Sequence, residues 1–285
     1  MSRIGLGRAL KRLREGKGLV ITEVGARLGC DPSMISKIEL GRRACSQALI
    51  TGLLDLYDVP SEQRESLIEL HTDTKDRRQG WWHSYSDVIS AAYERYLAFE
   101  DAAAQVREYQ LGIVPGLLQT EDYARAVMSV GFASLGPDQV DGLVEVRMQR
   151  QRNRLFEARV PMQCHYVVTQ AALEFQVGGP RVQRAQLQHL LDVSERDHVK
   201  LQVIPYEKGD EGSQLAGFYL LSFEDPDTPD VGFGDSLAGI LTMDEPRDVR
   251  RLNRLFRSLS QAALPDDETR DLIERIKNRK NDGQG

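Results

Sequence analysis

Long apolar segments are missing from this 285-residue chain. No run approaches the roughly 20 residues that a membrane-spanning helix needs, so we expect no membrane partner. The N-terminus is basic and lacks the apolar core of a signal peptide, which disfavours export. Three cysteines, an odd number, argue against a disulfide framework. Together these absences predict a cytoplasmic protein.

Recognisable catalytic and metal-binding patterns are missing as well. The five histidines are scattered without HExxH spacing, and neither a GxSxG elbow nor a P-loop is present. The three cysteines, Cys30, Cys45 and Cys164, lack metal-ligand spacing. Cys30 and Cys45 bracket the motif described below, which leaves a redox role open, although small buried thiols are the commoner explanation. We therefore expect no enzyme, no bound metal and no cofactor.

The charge is distributed unevenly along the chain. Residues 1–50 hold ten Lys and Arg against four Asp and Glu, whereas the remainder holds 27 against 39. A basic head on an acidic body suits a DNA-binding module joined to a domain that does not touch DNA, because phosphates attract one part and repel the other.

The segment Cys30–Gly41, with the sequence CDPSMISKIELG, is the most informative stretch. Asp31 is suited to cap a helix and Pro32 to fill its first turn. Ile35 and Ile38 form an apolar face, so the polar side chains between them face outward. A preceding helix and a glycine turn complete the pattern, which predicts a helix-turn-helix DNA-binding unit.

Apolar residues recur at helical spacing through the first 75 residues. A fifth helix is expected from Ser61, a favourable N-cap that precedes Glu62. The helical positions are Leu6, Leu10 and Leu13, then Val24 and Leu28, then Ile35 and Ile38, then Leu49, Leu53 and Leu56. Five short helices predict an all-α bundle over residues 1–75.

These residues at this spacing resemble the Xre family of phage-repressor and Cro-like helix-turn-helix proteins. The resemblance rests on Arg14, Gly18-Leu19, Ala26, Leu28-Gly29, Ile35, Ser36, Ile38-Glu39 and Gly41. It implies an ion pair between Arg14 and Glu39 that joins the first and third helices. Its matching positions also place Ser33, Ser36 and Lys37 toward the major groove of DNA, with Met34 near its edge. Arg42 and Arg43, which follow the third helix, and Thr22, which opens the second, are further candidate DNA contacts. Val20 and Ile21 stand where the family often has a polar residue opening the second helix.

The side chains at these positions suit different parts of DNA. Lys37 can donate to the O6 and N7 atoms of guanine, and Met34 can contact a thymine methyl group. Arg42 and Arg43 are suited to phosphates, which position a protein without reading sequence. One short recognition helix reads few base pairs, so we expect a homodimer on double-stranded DNA.

Residues 72–80, TDTKDRRQG, are polar and predict a linker between a first domain at 1–75 and a second at 76–285. The second domain carries mixed signals that predict a larger α+β domain. Helices are expected over 86–97, 121–128, 138–156, 181–194, 246–263 and 267–279. Strands are expected over 102–109, 167–169, 199–203, 218–223 and 231–233.

Two features of the second domain have competing interpretations. Trp81 and Trp82 suit either ligand stacking or, more commonly, core packing. The arginines of the 138–156 helix resemble a nucleic-acid patch, but Asp141 and Glu145 offset their charge, so we expect a solvated face.

The motifs VPGLLQTEDYARAV, YLAFEDAAAQVREYQ, VEVRMQRQ and LQVIPYEKG with GFYLLSFED resemble the second domain of WhiJ-like regulators. The resemblance implies an antitoxin-like transcriptional regulator that is often encoded beside a small acidic partner protein. Two alternatives stay open: the second domain senses a small molecule, or the helix-turn-helix is vestigial in an interaction protein.

Overall fold

The computed structural model describes residues 3–40, 43, 45–61, 63–65, 67–68, 71, 80–131, 136–212, 216–236 and 239–279. The chain forms two compact units, Met1–His83 and Ser84–Gly285. The predicted boundary at 75/76 and the linker up to residue 79 lie outside the described residues.

The first unit is helical. Its helices with described bounds are α1 (Arg3–Gly16), α2 (Ile21–Leu28), α3 (Pro32–Glu39) and α4 (Gln47–Leu56). The described residues between 61 and 71 are helical too, but parts of that stretch are undescribed, so the fifth helix stays a prediction. Leu10, Val24, Ile35 and Ile50 are fully buried in one apolar cluster that ties all four helices together.

Trp82 is buried at the end of this unit and packs edge-to-face on Trp81, with ring centroids 5.7 Å apart. Burial of this ring favours the packing interpretation of the tryptophan pair over ligand stacking.

The second unit combines helices with a mixed sheet. The helices are α5 (Ala91–Ala102), α6 (Glu121–Gly131), α7 (Pro137–Gln151), α8 (Gln170–Glu174), α9 (Pro180–Val193), α10 (Gly209–Gly212), α11 (Pro246–Ala262) and α12 (Asp266–Arg279). Short 3-10 turns occupy Trp81–Tyr85, Gly116–Leu118 and Tyr206–Lys208, and π-helix continues α7 over Arg152–Phe156.

Six strands form the sheet, in the spatial order β3-β2-β1-β4-β5-β6. They are β1 (Gln105–Gln110), β2 (Gln163–Thr169), β3 (Val199–Ile204), β4 (Phe218–Ser222), β5 (Val231–Ser236) and β6 (Gly239–Met243). The first three strands pair in parallel and the last three antiparallel, with β1 and β4 at the junction. β1 is therefore a central strand with neighbours on both edges.

The two faces of the sheet carry different side chains. On one face, Phe256 and Leu259 of α11 pack on Tyr109 of β1 and Phe218 of β4, which makes an apolar layer. On the other face, Tyr96 of α5 packs on Phe233 and Tyr219 of the antiparallel strands. Because side chains alternate along a strand, Val106, Glu108 and Gln110 of β1 share this second face.

Several expected bounds were wrong. The helix expected over 86–97 begins at Ala91, because the Ser90 hydroxyl caps it by accepting a hydrogen bond from the Tyr93 N–H at 3.2 Å. It runs on to Ala102, so the strand expected from residue 102 begins only at Gln105.

Elements with weak patterns were missed. The strand expected over 167–169 begins at Gln163, and β6 was not expected because an edge strand without a buried face shows no alternation. α8 has only five residues, too few for a periodic signal. The helix expected over 138–156 is α-helical only to Gln151 and then widens into π-helix.

The solvated face expected for the α7 arginines was also wrong, because Arg150 is buried. Its Nε and Nη2 atoms donate to both carboxylate oxygens of Glu100 at 2.8 and 2.6 Å. The negative charge that balances Arg150 therefore lies on α5, 50 residues away in the sequence.

None of the helices that the structure describes combines the length and apolar character needed to cross a bilayer.

Candidate nucleic-acid interface

Helix α3 is fixed at its start by its own sequence. The Asp31 carboxylate accepts a hydrogen bond from the Ser33 N–H at 2.7 Å, and Pro32 occupies the first turn. Hydrogen bonds from Ser33 lower the pKa of Asp31, so a negative charge sits at the positive end of the helix. The start of the candidate recognition helix is thus specified locally.

The end of α3 is fixed by a buried ion pair with α1. Arg14 Nε and Nη2 donate to the two Glu39 carboxylate oxygens at 2.7 and 2.9 Å. The remaining nitrogen, Nη1, donates at 2.8 Å to the carbonyl of Leu19, which leads into α2. The Glu39 hydrogen bond raises the pKa of Arg14. One guanidinium therefore connects α1, the chain entering α2 and α3.

Two glycines that sequence reasoning missed allow the helices to approach closely. A Cβ on Gly7 of α1 would lie 2.4 Å from the Ile38 carbonyl oxygen, and one on Gly25 of α2 would lie 2.8 Å from the Cys30 carbonyl oxygen. Neither distance is compatible with a side chain. Both glycines lie in predicted helices, where glycine is unfavourable, and that conflict is the signal that could have identified them.

The outer face of α3 is polar and open. Ser33 and Lys37 are exposed and lie one turn apart, so their side chains share a face. Ser36 beside them is half-buried, while Ile35 and Ile38 are buried on the opposite side. The sequence pattern and the structure therefore agree on which side of α3 faces out.

The other predicted contact residues have varied positions. Met34 is half-buried and packs against the apolar cluster of the first unit, so only part of it is accessible. Thr22 is exposed in the first turn of α2. Arg43 is exposed after α3, and its backbone N–H donates to the Lys37 carbonyl at 3.1 Å. Arg42 lies outside the described residues.

The opening of α2 uses a different cap from the one that the family pattern suggests. Val20 occupies the N-cap position and has no side-chain acceptor, but the Glu23 carboxylate accepts from the Val20 backbone N–H at 3.0 Å. This half of a capping box closes the helix start and leaves the Thr22 hydroxyl uncommitted to the cap.

Two of the three cysteines, one in each unit, are poorly suited to redox chemistry. Burial raises the pKa of Cys45 to about 11 and that of Cys164 to about 12, so both thiols stay protonated at neutral pH. Because the thiolate is the reactive form, burial favours a packing role for these two residues.

The comparisons with known proteins divide the chain into two parts, as the structure does. Residues 5–67 match a family described as a helix-turn-helix domain, which makes the first unit a DNA-binding unit of that class. Residues 93–275, more than half of the chain, match a family described as a domain of unknown function (DUF5753). No curated protein and no solved structure matched the chain. The chain belongs to this DUF5753 family and carries an N-terminal helix-turn-helix domain.

Proposed function

We propose that this protein is an Xre-type, WhiJ-like transcriptional regulator that reads a specific DNA site with α3. It acts in the cytoplasm as a homodimer, and its second domain binds a partner protein in an antitoxin-like arrangement. The proposal assigns no chemical reaction and no cofactor to either domain.

The observation that carries the proposal is the geometry of α3. Its polar face, with Ser33 and Lys37, is open, and both of its ends are fixed, at Asp31 by the cap and at Glu39 by the ion pair. A recognition helix must be held rigidly while its side chains stay free to reach base edges, and this combination satisfies both requirements.

The roles follow from the chemistry of each side chain. Lys37 donates to guanine, Ser33 and Ser36 hydrogen-bond to base edges, and the accessible part of Met34 contacts a thymine methyl. Arg43, with Thr22 on α2, contacts phosphates that set the register.

The test is a nuclease footprint of the purified full-length chain on the DNA upstream of its own gene. The proposal predicts two protected half-sites related by two-fold symmetry and about one helical turn apart. A protected site that vanishes in a Ser33, Ser36 and Lys37 triple alanine variant supports α3 as the reader. Protection that survives in this variant contradicts it.

A stripe of arginines on α11 supports the proposal that the second domain binds a partner protein. The stripe consists of Arg247, Arg250, Arg251, Arg254 and Arg257. All five side chains are exposed, and none forms an ion pair with any residue that the structure describes. Their spacing places them along one side of the helix, opposite the buried Val249, Phe256 and Leu259.

Such a stripe is unusual in a domain whose sequence is acidic, and it complements an acidic surface. We therefore assign the stripe as the docking face for the small acidic protein that the family resemblance implies.

Co-expression of the chain with small acidic proteins encoded beside it, followed by size-exclusion chromatography, tests this assignment. Charge reversal by Arg250→Glu with Arg254→Glu should abolish co-elution, whereas Arg159→Glu, an exposed arginine before β2, should not. Equal loss in both variants, or no loss in either, contradicts the stripe as the docking face.

A second candidate keeps the same DNA-binding unit and has the second domain bind a small molecule. It is favoured by a buried polar cluster on the sheet, around Glu108 and Arg147, that packing alone does not explain.

A further inference from the structure

A buried carboxyl group lies in the middle of the sheet. Glu108 is only 2% exposed on β1, and its cross-strand neighbours are Tyr166 on β2 and Tyr219 on β4. The same face is covered by α5 and α7, which bring Tyr96 and Arg150 over it. Burying a carboxyl group costs free energy unless the group is paired or neutralised, so a buried carboxyl group marks a candidate functional region.

Glu108 has no cationic partner in hydrogen-bond contact among the residues that the structure describes. Its Oε1 accepts from the Gln110 amide at 3.0 Å, and the same amide lies 3.1 Å from the Tyr219 hydroxyl. Burial raises the pKa of Glu108 to about 8, so the group is a neutral O–H donor at neutral pH.

Arg147 on α7 is only partly satisfied. Its Nη1 donates to the Gln119 side chain, whose amide is held in turn by the Val114 carbonyl at 2.7 Å. Its Nε is buried and has no acceptor within the described part of the chain. No described carboxylate forms an ion pair with Arg147, in contrast to Arg150, which Glu100 neutralises.

A small space adjoins the two guanidinium groups at Gly116. A Cβ built on this glycine would have as its nearest atoms, outside adjacent residues, Arg150 Nη1 at 3.6 Å and Arg147 Nε at 3.7 Å. A methyl group would therefore fit there without a clash. The space is bordered by the hydrogen-bond donor that has no partner.

The unused hydrogen-bonding groups around this space are mostly donors. Arg147 offers N–H groups and a positive charge, and Tyr93, whose hydroxyl accepts from Arg150 at 2.9 Å, offers its own O–H. Arg147, Tyr93 and Tyr219 are each partly exposed, so part of each of these side chains lies at the surface. Donors with a net positive charge fit an acceptor that carries negative charge.

We propose that Arg147, together with the Tyr93 hydroxyl and the space beside Gly116, binds the carboxylate or phosphate group of a small molecule. This inference rests on the second candidate function given above and supplies its site and ligand class. Arg150 and Glu100 position the site, since their ion pair fixes α7 against α5.

The test is thermal unfolding of the full-length chain in about 50 mM inorganic phosphate, in about 50 mM acetate, and in sodium chloride of equal ionic strength. Both tryptophans lie in the first unit, so tryptophan fluorescence reports that unit and also any unspecific anion binding to it. Eight of the nine tyrosines, all except Tyr57, lie in the second unit, whose unfolding is followed by the near-ultraviolet circular dichroism of tyrosine.

We expect at least one oxyanion to raise the tyrosine-monitored Tm by about 2 °C or more above chloride, because a ligand of the folded state stabilises it. The anion that gives the larger Tm shift, phosphate or acetate, shows whether the site prefers a phosphate or a carboxylate group. Arg147→Met should remove the shift, and Arg159→Met, which removes an exposed arginine, should retain it.

Gly116→Ala provides a second variant that the structure predicts to fold, because the added methyl makes only ordinary contacts. It should reduce the shift by half or more. Absence of a shift with both anions, or an equal shift in Arg147→Met and the wild type, overturns the proposal. DNA binding measured on the same samples separates this outcome from failure of the DNA-binding function, since the first unit contains none of these residues.

Discussion

Among the residues that the structure describes, each unit contains one buried, bidentate Arg–Glu pair, but the two pairs have different surroundings. Arg14 and Glu39 are both buried in the first unit, and the last Arg14 nitrogen donates to the Leu19 carbonyl. Arg150 and Glu100 lie beside tyrosine hydroxyls and next to Arg147, which retains an unused donor.

The difference separates a structural pair from a pair at the edge of the anion site that we propose. In the first unit each nitrogen of the Arg14 guanidinium donates to Glu39 or to the Leu19 carbonyl, so one side chain connects three segments. The recognition surface that we propose is the separate, exposed face of α3. In the second unit the pair fixes two helices, and the groups around it are left with capacity for a ligand. The following predictions test this division.

We expect the largest loss of stability from breaking the Arg14–Glu39 pair. Arg14→Met leaves the Glu39 carboxylate buried without a partner, and we expect a loss of about 3–5 kcal/mol from the first unit. Tryptophan fluorescence during urea unfolding measures it, while the tyrosine signal of the second unit should be unchanged.

A double variant sharpens this result. Arg14→Met with Glu39→Leu replaces both charges by apolar groups, so it should recover most of the loss. Recovery of folding without recovery of specific DNA binding would show that the pair also sets the orientation of α3. A double variant no more stable than Arg14→Met would contradict the electrostatic explanation.

In the second unit we expect a substitution that raises the free energy of unfolding instead of lowering it. Glu108→Gln removes a group whose pKa burial raises to about 8, and it should stabilise the unit by roughly 3 kcal/mol at pH 7. The wild-type carboxyl is protonated when folded and ionised when unfolded between its ordinary pKa and 8. Its favourable contribution is therefore complete at low pH and is lost as the pH rises through this window.

The gain from Glu108→Gln should consequently grow from near zero at pH 4.5 to its maximum near pH 8. Thermal unfolding at several pH values measures it. Arg150 and Glu100 face this residue from α7 and α5, and Asp235 faces it from β5. Burial opposes ionisation of Glu100, but Arg150 outweighs it and lowers the pKa of Glu100, so this pair stays charged across the window. A gain that does not vary with pH would contradict a buried neutral Glu108.

A smaller effect is expected at the helix crossing of the first unit. Gly7→Ala places a methyl 2.4 Å from the Ile38 carbonyl oxygen, so α1 and α3 must separate, at about 1–3 kcal/mol. Gly16→Ala is the matched control, because nothing lies within 4 Å of its added methyl, and it should be neutral or stabilising by up to about 1 kcal/mol. Equal effects of the two substitutions would contradict the close crossing.

The sequence predicted what short-range patterns encode. Asp31 and Pro32 mark the start of α3, and the spacing of Ile35 and Ile38 identifies its buried face. The Arg14–Glu39 pair was expected only through family resemblance, since no local pattern joins residues 25 positions apart.

The second unit was harder to predict because its important contacts are long-range. The charges of α7 were balanced against Asp141 and Glu145 on the same helix, whereas the structure places Glu100 of α5 against Arg150. Glu108 is one of several polar residues in its strand, and no local pattern marks it as buried. Its burial depends on the strands β2 and β4 beside it and on the helices α5 and α7 over it, which meet only in the folded chain.

The most direct test of the DNA-binding account is the ratio of affinities for the footprinted site and for unrelated DNA, measured by fluorescence anisotropy. Lys37→Ala should lower this ratio by about tenfold or more, because a base contact contributes about 1–3 kcal/mol of discrimination. Lys11→Ala, which removes an exposed lysine of α1, should leave the ratio unchanged. An unchanged ratio in Lys37→Ala and in the triple alanine variant would contradict recognition by α3.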